Sequence, residues 1–492
     1  MTELTSSEYR SLIQSSVPTT VDADTKDPDF AGLFTPDNHR LALDPDVTLV
    51  QGARGSGKTV WFKALHRENL RSLAAVEYRL ESLRRIQPLS GYGSERQPDS
   101  YPGPSVLRAL LADGRQSTAI WTAVLLQGLR SAPVVSAATW AEKVRWVEDS
   151  PEDLERELAA ADQRLAAENR QSLILFDALD RLHEDREQAN HLIEGILRLA
   201  LDLRTGYRRL RAKIFIRPDM LTASSFTFAD ASKLIANAAE LTWSETNLYG
   251  LFFHHLGNGD PELSARFRQH SAPGTWLLQP AEEDAEERYV MPTRVASDAT
   301  SQRELFVGIA GPYMGLDHRK GHTYSWLPNH LMDGSRQVSP RSFLSALSNA
   351  AENTASRYGG HSYALHYDAI RSGVQHASQI RVGEMREDIP WVGVAVEELA
   401  GLQVPMEREI LVERWAGESF WERVAPVSPD DEDSDDDIRT GPRARTPDGL
   451  IDELRNLGVM SFRSDGRIDL PDVYRIAFDI GRKGGVPRVR RR

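Results

Sequence analysis

The amino-acid sequence predicts an α/β fold with a parallel β-sheet at its core. Apolar runs of strand length lie at residues 47–50, 172–177, 213–217 and 239–243. Helical patterns separate these runs, and strands that alternate with helices form parallel sheets. Such sheets bind ligands at the carboxyl ends of their strands, which is where we expect Gly52, Asp177 and Arg217.

The first run leads into a glycine-rich loop. Residues 52–59, GARGSGKT, fit the pattern G-x-x-x-x-G-K-[ST] between a strand and a helix. Glycines let backbone N–H groups surround phosphate oxygens, and the N-terminus of the following helix adds positive potential. We expect Lys58 to reach the β- and γ-phosphates of a nucleotide and Thr59 to bind Mg²⁺. The candidate cofactor-binding residues are Gly52, Ala53, Arg54, Gly55, Ser56, Gly57, Lys58, Thr59 and Val60.

The second run ends in a carboxylate. The residues SLILFD place four apolar side chains before Asp177, which is the Walker B pattern, where a carboxylate organises Mg²⁺. A buried strand that ends in Asp by chance is common, but such a strand is unexpected downstream of a phosphate-binding loop. Asp180 follows three residues later. It is a candidate for catalysis, with capping of the next helix as the alternative.

The order of these motifs resembles the AAA+/STAND group of P-loop ATPases, and the stretches ILFDALDRL and KIFIRPDM are similar to bacterial members. The resemblance implies ATP and Mg²⁺ as cofactors. It gives Arg217 the sensor-1 position, where an arginine reads the γ-phosphate. It also implies that Arg341, in the first turn of a helix begun by Ser339 and Pro340, is the sensor-2 arginine of a helical lid. An ordinary exposed arginine is the alternative at this position.

Two features depart from that group. Its members usually carry an acidic residue directly after the Walker B aspartate to polarise the attacking water, whereas here that residue is Ala178. We therefore expect slow hydrolysis. The interval between Lys58 and Asp177 is also long, which predicts an inserted segment.

The sequence predicts several domains, because 492 residues exceed the size of a single core. They are an N-terminal polar segment (1–45), a P-loop ATPase core (46–250), a linker or insertion (251–335), a helical lid (336–380) and a winged-helix-like domain (381–492) with an acidic loop at 426–446. The last assignment rests on a pattern of three helices followed by a hairpin, and a further helix is expected from Pro471 to the glycines near residue 484. Residues 87–105 are rich in Pro, Gly and Ser and predict an exposed loop.

Composition excludes several classes of function. The net charge of −13 opposes broad affinity for nucleic acid, and the absence of cysteine excludes disulfides and thiolate metal sites. No apolar run approaches the ~20 residues of a membrane span, and the N-terminus lacks the apolar stretch of a signal peptide. We expect a cytoplasmic protein. His318, His322 and His330 lack the compact spacing of zinc ligands, so we expect ordinary surface histidines.

These patterns favour an ATP-binding, slowly hydrolysing switch that forms a homo-oligomer or engages a separate protein effector. By analogy, bacterial ATPases of this kind often act in antiviral defence or stress systems. In such an oligomer, Lys233 or an arginine of residues 204–211 is expected to reach a neighbour's nucleotide. A small-molecule kinase shares the P-loop but needs neither the lid arginine nor the winged helix.

The alternative is a DNA-binding regulator or DNA-acting ATPase that uses the winged helix and a basic C-terminal tail. Residues 439–492 hold thirteen Arg/Lys against seven Asp/Glu, so nucleic acid is a candidate partner there. The helix that would enter a DNA groove, however, carries Asp448, Asp452 and Glu453. These acids would repel phosphate, which favours a packing or protein-contact role for the domain.

Overall fold

The computed structural model describes residues 3–18, 27–221, 231–280, 287–424, 441–442 and 444–483. They form two compact units. The first, here called the sheet unit, is Asp22–Thr242 with Ala281–Ala285, and the second, the helical unit, is Met1–Val21, Trp243–Pro280 and Glu286–Arg492. The run DDEDSDDD of the predicted acidic loop and the tail after residue 483 lie outside the described residues.

The helices and strands are numbered here in chain order. The first helices are α1 Ser6–Ser16, α2 Arg40–Leu43, α3 Lys58–His66, α4 Glu68–Tyr78, α5 Pro104–Ala112, α6 Ser117–Gly128, α7 Ala132–Ser136, α8 Trp140–Asp149, α9 Pro151–Ala167, α10 Arg186–Gly206 and α11 Ala231–Ala236. The remaining helices are α12 Glu245–Asn258, α13 Pro261–Ser271, α14 Thr293–Ala296, α15 Ala299–Ala310, α16 Thr323–Leu331, α17 Pro340–Arg357, α18 Tyr367–Asp388, α19 Pro390–Glu397, α20 Arg408–Arg414, α21 Glu418–Val424, α22 Pro447–Asn456 and α23 Asp472–Arg475. The strands are β1 Leu49–Gln51, β2 Ile86–Tyr92, β3 Gln171–Phe176, β4 Leu210–Ile216, β5 Ala239–Glu240, β6 Leu277–Pro280, β7 Glu287–Val290, β8 Gln403–Val404, β9 Ser461–Phe462, β10 Ile468–Asp469 and β11 Gly481–Arg482.

The sheet unit is built on five parallel strands in the order β2-β3-β4-β1-β5. This confirms the predicted α/β class. The strand of the Walker B pattern, β3, is apolar and fully buried from Leu173 to Phe176. Continuous apolar runs are expected for strands that are covered on both faces. Strand β4 lies between β3 and β1, so the three chain segments with predicted functional residues leave the sheet side by side.

Strand β2 was not predicted. Residues 87–105 were expected to be an exposed loop, and this is wrong for the part from Gln87 to Tyr92, which pairs with β3. The strand contains Pro88 and Gly91, which are typical of turns. It lies at the edge of the sheet, where a proline costs no hydrogen bond on the open side.

The interval between Lys58 and Asp177 contains α4, β2 and the helices α5–α9. Helix α6 is buried on nearly all sides and packs against α10, where its Trp121 donates a 2.9 Å hydrogen bond to the carbonyl oxygen of Leu192. At Gly195 of α10, an added Cβ would lie 2.7 Å from Ser117, so the two helices approach closely there. The inserted segment is therefore part of the core of the sheet unit.

A buried lysine joins β4 to the segment that enters β1. Lys213 is fully buried, and its Nζ donates to the carbonyl oxygens of Ala42 (2.8 Å), Asp44 (2.9 Å) and Val47 (2.7 Å). Burial lowers the pKa of its ammonium group to about 7. The three carbonyls compensate for part of the cost of burying this charge, because each is a direct acceptor.

The helical unit has an aromatic core, to which helices from residues 251–335 contribute side chains. Tyr249 of α12 stacks on Tyr324 of α16 at 4.0 Å between ring centroids, and Phe306 of α15 and Phe343 of α17 contact the same ring. The hydroxyl of Tyr249 donates to the carbonyl oxygen of Tyr324 at 2.6 Å. Among the described residues, no helix is long and apolar enough to cross a membrane.

The C-terminal part of the helical unit contains α19–α22 and the antiparallel hairpin β9–β10. A helix was predicted from Pro471 to the glycines near residue 484. The structure has only the short α23 there, followed by β11, which pairs in parallel with β8. Ile480, next to β11, is buried, and this strand pairing explains why the helix ends early.

Candidate nucleotide-binding site

The loop between β1 and α3 has a backbone that requires glycine. Gly55 and Gly57 have φ angles of 76° and 101°, which side chains with a Cβ rarely adopt. At Gly52, an added Cβ would lie 2.2 Å from the hydroxyl of Ser56. At Gly57, an added Cβ would meet nothing within 4 Å, so the loop is open on that side. Helix α3 begins at Lys58, as the phosphate-binding pattern requires.

Lys58 points back over this loop. Its Nζ donates to the carbonyl oxygens of Gly52 at 2.8 Å and Ala53 at 3.1 Å. Burial lowers the pKa of this ammonium group to about 8, and the carboxylate of Asp177 acts in the opposite direction. An anion in the loop would be a stronger acceptor for Lys58 than either neutral carbonyl.

Asp177 follows β3 and is almost fully buried. Its backbone N–H donates to the carbonyl oxygen of Tyr92 at 3.0 Å, and its carboxylate accepts a hydrogen bond from Thr59. Burial raises the pKa of this carboxyl group to about 6, against the effects of Thr59 and Lys58. Its Oδ2 is buried and has no hydrogen-bond partner among the described residues.

These residues fit a magnesium ion. Mg²⁺ takes oxygen ligands, usually one or two from the protein and the rest from water and phosphates. The buried Oδ2 of Asp177 and the hydroxyl of Thr59 supply that donor set, and a cation there would compensate for the buried charge. Within the described ranges, no group of three or more His, Asp or Glu side chains could hold a metal by itself. His318, His322 and His330, which are among the described residues, do not form such a group.

Arg217 follows β4 and is bound by Asp219, which is not one of the residues predicted from the sequence motifs. Its Nη2 lies 2.8 Å from Oδ2 of Asp219, and its Nε lies 3.1 Å from Oδ1. The carboxylate therefore accepts two hydrogen bonds from the guanidinium. The charges of Arg217, Asp180 and Asp219 all act on the pKa of Lys58. All three groups therefore lie within electrostatic range of Lys58. Asp219 stands two residues after Arg217 in KIFIRPDM, which was the only signal in the sequence.

The chain turns sharply after Asp177. Ala178 has a φ of 54°, in the left-handed region that non-glycine residues seldom adopt, and a 3₁₀ turn over Leu179–Arg181 follows. Tyr92 holds this turn, because its hydroxyl donates to the carbonyl oxygen of Arg181 at 2.9 Å. The turn carries the exposed Asp180, whose charge acts on both Lys58 and Asp177.

Arg341 lies in the other unit, in the first turn of α17. Its Nη1 donates to Oε1 of Glu384 in α18 at 2.5 Å. Lys58, Asp177, Asp180 and Arg217 are thus brought together within the sheet unit. The sensor role of Arg341 stays a prediction.

The fold and this site define a class of protein, the P-loop α/β proteins with a parallel sheet. No family model and no curated relative matches the chain. Among solved structures it is similar to the ORC2 protein of Aeropyrum pernix in its ADPNP-ADP complexes, with 12% identity and a TM-score of 0.38 over 88% of this chain and 86% of that one.

Two further solved structures are similar. For Cdc6p from Pyrobaculum aerophilum the identity is 11% and the TM-score 0.29, over 87% of this chain and 84% of that one. For the Walker-type ATPase of Pyrococcus abyssi the values are 13% and 0.36, over 93% and 98%. These TM-scores describe a distant likeness.

Proposed function

We propose that the chain is an ATP-binding, slowly hydrolysing molecular switch of the AAA+/STAND type. The observation that carries the proposal is the convergence of Lys58, Asp177 and Arg217 after the adjacent strands β1, β3 and β4. Lys58 and Arg217 supply cations for phosphate oxygens, and Asp177 supplies a carboxylate for Mg²⁺.

The charges of the site support a metal-bound nucleotide as its ligand. The two cations Lys58 and Arg217 stand against three carboxylates, those of Asp177, Asp180 and Asp219. A bare triphosphate would be repelled by these three carboxylates. A divalent cation, for which Asp177 and Thr59 would supply oxygen ligands, would reduce this repulsion, so Mg-ATP is the expected form of the ligand.

Replacing Lys58 by alanine is expected to weaken Mg-ATP binding by well over tenfold, because a charge-assisted contact to the phosphates is lost. Isothermal calorimetry of the full chain measures this directly. Lys63→Ala is the matched control, since Lys63 lies on the same helix but pairs with Asp27 and Glu95. Unchanged ATP affinity in Lys58→Ala would show that the loop is not a nucleotide site.

We further propose that bound ATP changes the assembly or partner binding of the chain. By its resemblance to bacterial ATPases, the chain assembles with copies of itself or engages a separate effector in the cytoplasm, in a defence or stress response. In this proposal, Arg341 couples the γ-phosphate to the helical unit. To shift such an equilibrium strongly, ATP must favour one state by a few kcal/mol, roughly what two charge-assisted hydrogen bonds supply.

Arg341→Ala is expected to leave ATP bound while removing the ATP-dependent change in mass measured by sedimentation. Glu384→Gln is the matched control, because it weakens the same ion pair and leaves the arginine in place. If Arg341 only stabilises α17 against α18, the two variants will behave alike. A wild-type response in Arg341→Ala would also rule out the sensor role.

The alternative, a DNA-acting protein, is disfavoured by ion pairs in the helical unit. Asp448 of α22 binds Arg408, and near the hairpin Arg467 binds Asp465 while Arg463 binds Asp469. These arginines are neutralised locally, so phosphate contacts would have to compete with an existing partner.

A further inference from the structure

Three neighbouring strands of the sheet unit each begin directly after an arginine. Arg85 precedes β2, Arg170 precedes β3 and Arg209 precedes β4. These strands are parallel and pair with one another from their first or second residue. Because neighbouring strands lie about 4.8 Å apart, the three arginines follow one another along about 10 Å of the edge where the strands begin. This set of three residues, here called the arginine edge, lies at the end of the sheet opposite to the P-loop.

The arginine edge carries positive charge without a local counter-charge. Arg85 and Arg170 are exposed, and Arg209 is half-buried. Among the described residues, none of the three forms an ion pair. By contrast Arg211, two residues further along β4, binds Asp46 at 3.0 Å. Like charges that lie close together repel one another, so binding of an anionic partner would relieve the repulsion at this edge.

Two carboxylates near these strand starts are already engaged. Oδ1 of Asp162 accepts hydrogen bonds from the backbone N–H groups of Arg208 (3.1 Å) and Arg209 (2.6 Å). Glu81 pairs with Arg84 at 3.6 Å. The bonds to Asp162 fix the backbone in front of β4, and the exposed side chain of Arg208 adds a further positive charge beside the arginine edge.

The sequence contains an anionic segment that is complementary to this edge. Residues 430–437, here called the acidic run, have the sequence DDEDSDDD and hold seven acidic side chains in eight positions. A nucleic acid is the other polyanion to consider, but its contacts would have to extend beyond the arginine edge along a chain with a net charge of −13. The charge of the acidic run ends within eight residues, and more distant charges are screened over about 8 Å at physiological ionic strength.

We propose that the arginine edge of one copy of the chain binds the acidic run of a second copy. The contact joins two different surfaces, so it is heterologous and can be repeated from copy to copy. This inference deepens the self-assembly in the proposed function. It needs no nucleotide, so it is tested in the absence of ATP.

Sedimentation of the full chain in about 50 mM salt tests the inference, because surface charges are weakly screened there. The edge variant replaces Arg85, Arg170 and Arg209 by Glu. We expect its self-association to be weaker than that of the wild type by about tenfold or more, since three attractive contacts become repulsive. The matched control makes the same change in net charge at three exposed arginines of the sheet unit that already have acidic partners and should lose far less. These are Arg108, Arg156 and Arg198.

A mixture of two variants shows whether the two surfaces bind each other. In the run variant, the seven acids of residues 430–437 are replaced by Asn or Gln, and this variant is also expected to lose self-association. The edge variant keeps its acidic run and the run variant keeps its arginine edge. An equimolar mixture is therefore expected to form a complex of two copies and to stop there, because only one competent contact is available. Salt at about 500 mM should dissociate this complex.

Several outcomes would overturn the inference. They are a wild type that stays monomeric in low salt, equal weakening in the matched control, and a mixture of the two variants that does not associate. Binding of a DNA duplex that the edge variant loses, while its self-association persists, would assign the edge to nucleic acid instead. Since every measurement is made without ATP, these outcomes are distinct from a failure of the nucleotide site.

Discussion

Asp177→Ala is expected to abolish ATP hydrolysis. The variant removes the buried carboxylate that we propose would hold Mg²⁺, an ion that would neutralise charge on the transferred phosphoryl group. The wild type is itself expected to turn over well below the ~10 s⁻¹ of a typical enzyme, because Ala178 replaces the usual acid. Phosphate release at saturating ATP measures both rates.

Two comparisons make this result specific. Asp113→Ala removes an exposed carboxylate at the end of α5 and should retain the wild-type rate. In the absence of nucleotide, Asp177→Asn should unfold at higher temperature than the wild type near neutral pH. The pKa of Asp177 is raised to about 6, so its ionised form costs about 3 kcal/mol in the folded state above that pH. Normal hydrolysis in Asp177→Ala would show that Asp177 does not hold the metal. A wild-type rate near that of a typical enzyme would mean that the catalytic base lies elsewhere than at residue 178, with Asp180 the first candidate.

Lys213→Met is expected to destabilise the sheet unit by about 3 kcal/mol. The substitution keeps the length of the side chain but leaves the carbonyl oxygens of Ala42, Asp44 and Val47 without their donor, and each unsatisfied buried group costs about 1–3 kcal/mol. The gain from no longer burying a charge offsets part of this loss. Denaturant unfolding of the full chain measures the difference, with the exposed Lys320 replaced by Met as the control.

The effect of Lys213 should also depend on pH. Its folded-state pKa of about 7 lies below that of an unfolded lysine, so between pH 7 and pH 10 the unfolded state binds more protons. Stability contributed by this group therefore rises with pH, with a slope of at most about 1.4 kcal/mol per pH unit. The difference in unfolding free energy between wild type and Lys213→Met should grow from pH 7 to pH 9. A constant difference would mean that Lys213 titrates normally.

The parts of the fold that the sequence predicted have strong local signals. Strands β3 and β4 are buried on both faces, so their apolar runs are continuous, and the P-loop has a pattern set by backbone geometry. Strand β2 was missed because an edge strand tolerates Pro88 and Gly91, which elsewhere indicate a turn. The early end of α23 depends on the pairing of β11 with β8, a contact across some eighty residues that no local pattern contains.

The candidate site likewise contains some residues that the sequence predicted and others that it did not. Lys58 and Asp177 lie in motifs whose spacing is fixed by the loop and the strand. Asp219 binds the guanidinium of Arg217, and Tyr92 binds a carbonyl oxygen of the turn after Asp177. A single aspartate or tyrosine in a sequence has no pattern that would indicate such a role. The left-handed conformation of Ala178 was also invisible, because alanine is not a residue that favours it.

The hydrogen bonds from Lys58 to the carbonyls of Gly52 and Ala53 have a consequence for ligand size. The loop's own backbone competes for the lysine, so a ligand enters by exchange and each new contact replaces an existing one. A single free phosphate or sulfate offers little beyond what it displaces and should bind weakly. A polyphosphate offers several oxygens to the lysine and the loop N–H groups together. The loop should therefore discriminate by the length of the phosphate chain before any base or sugar is recognised.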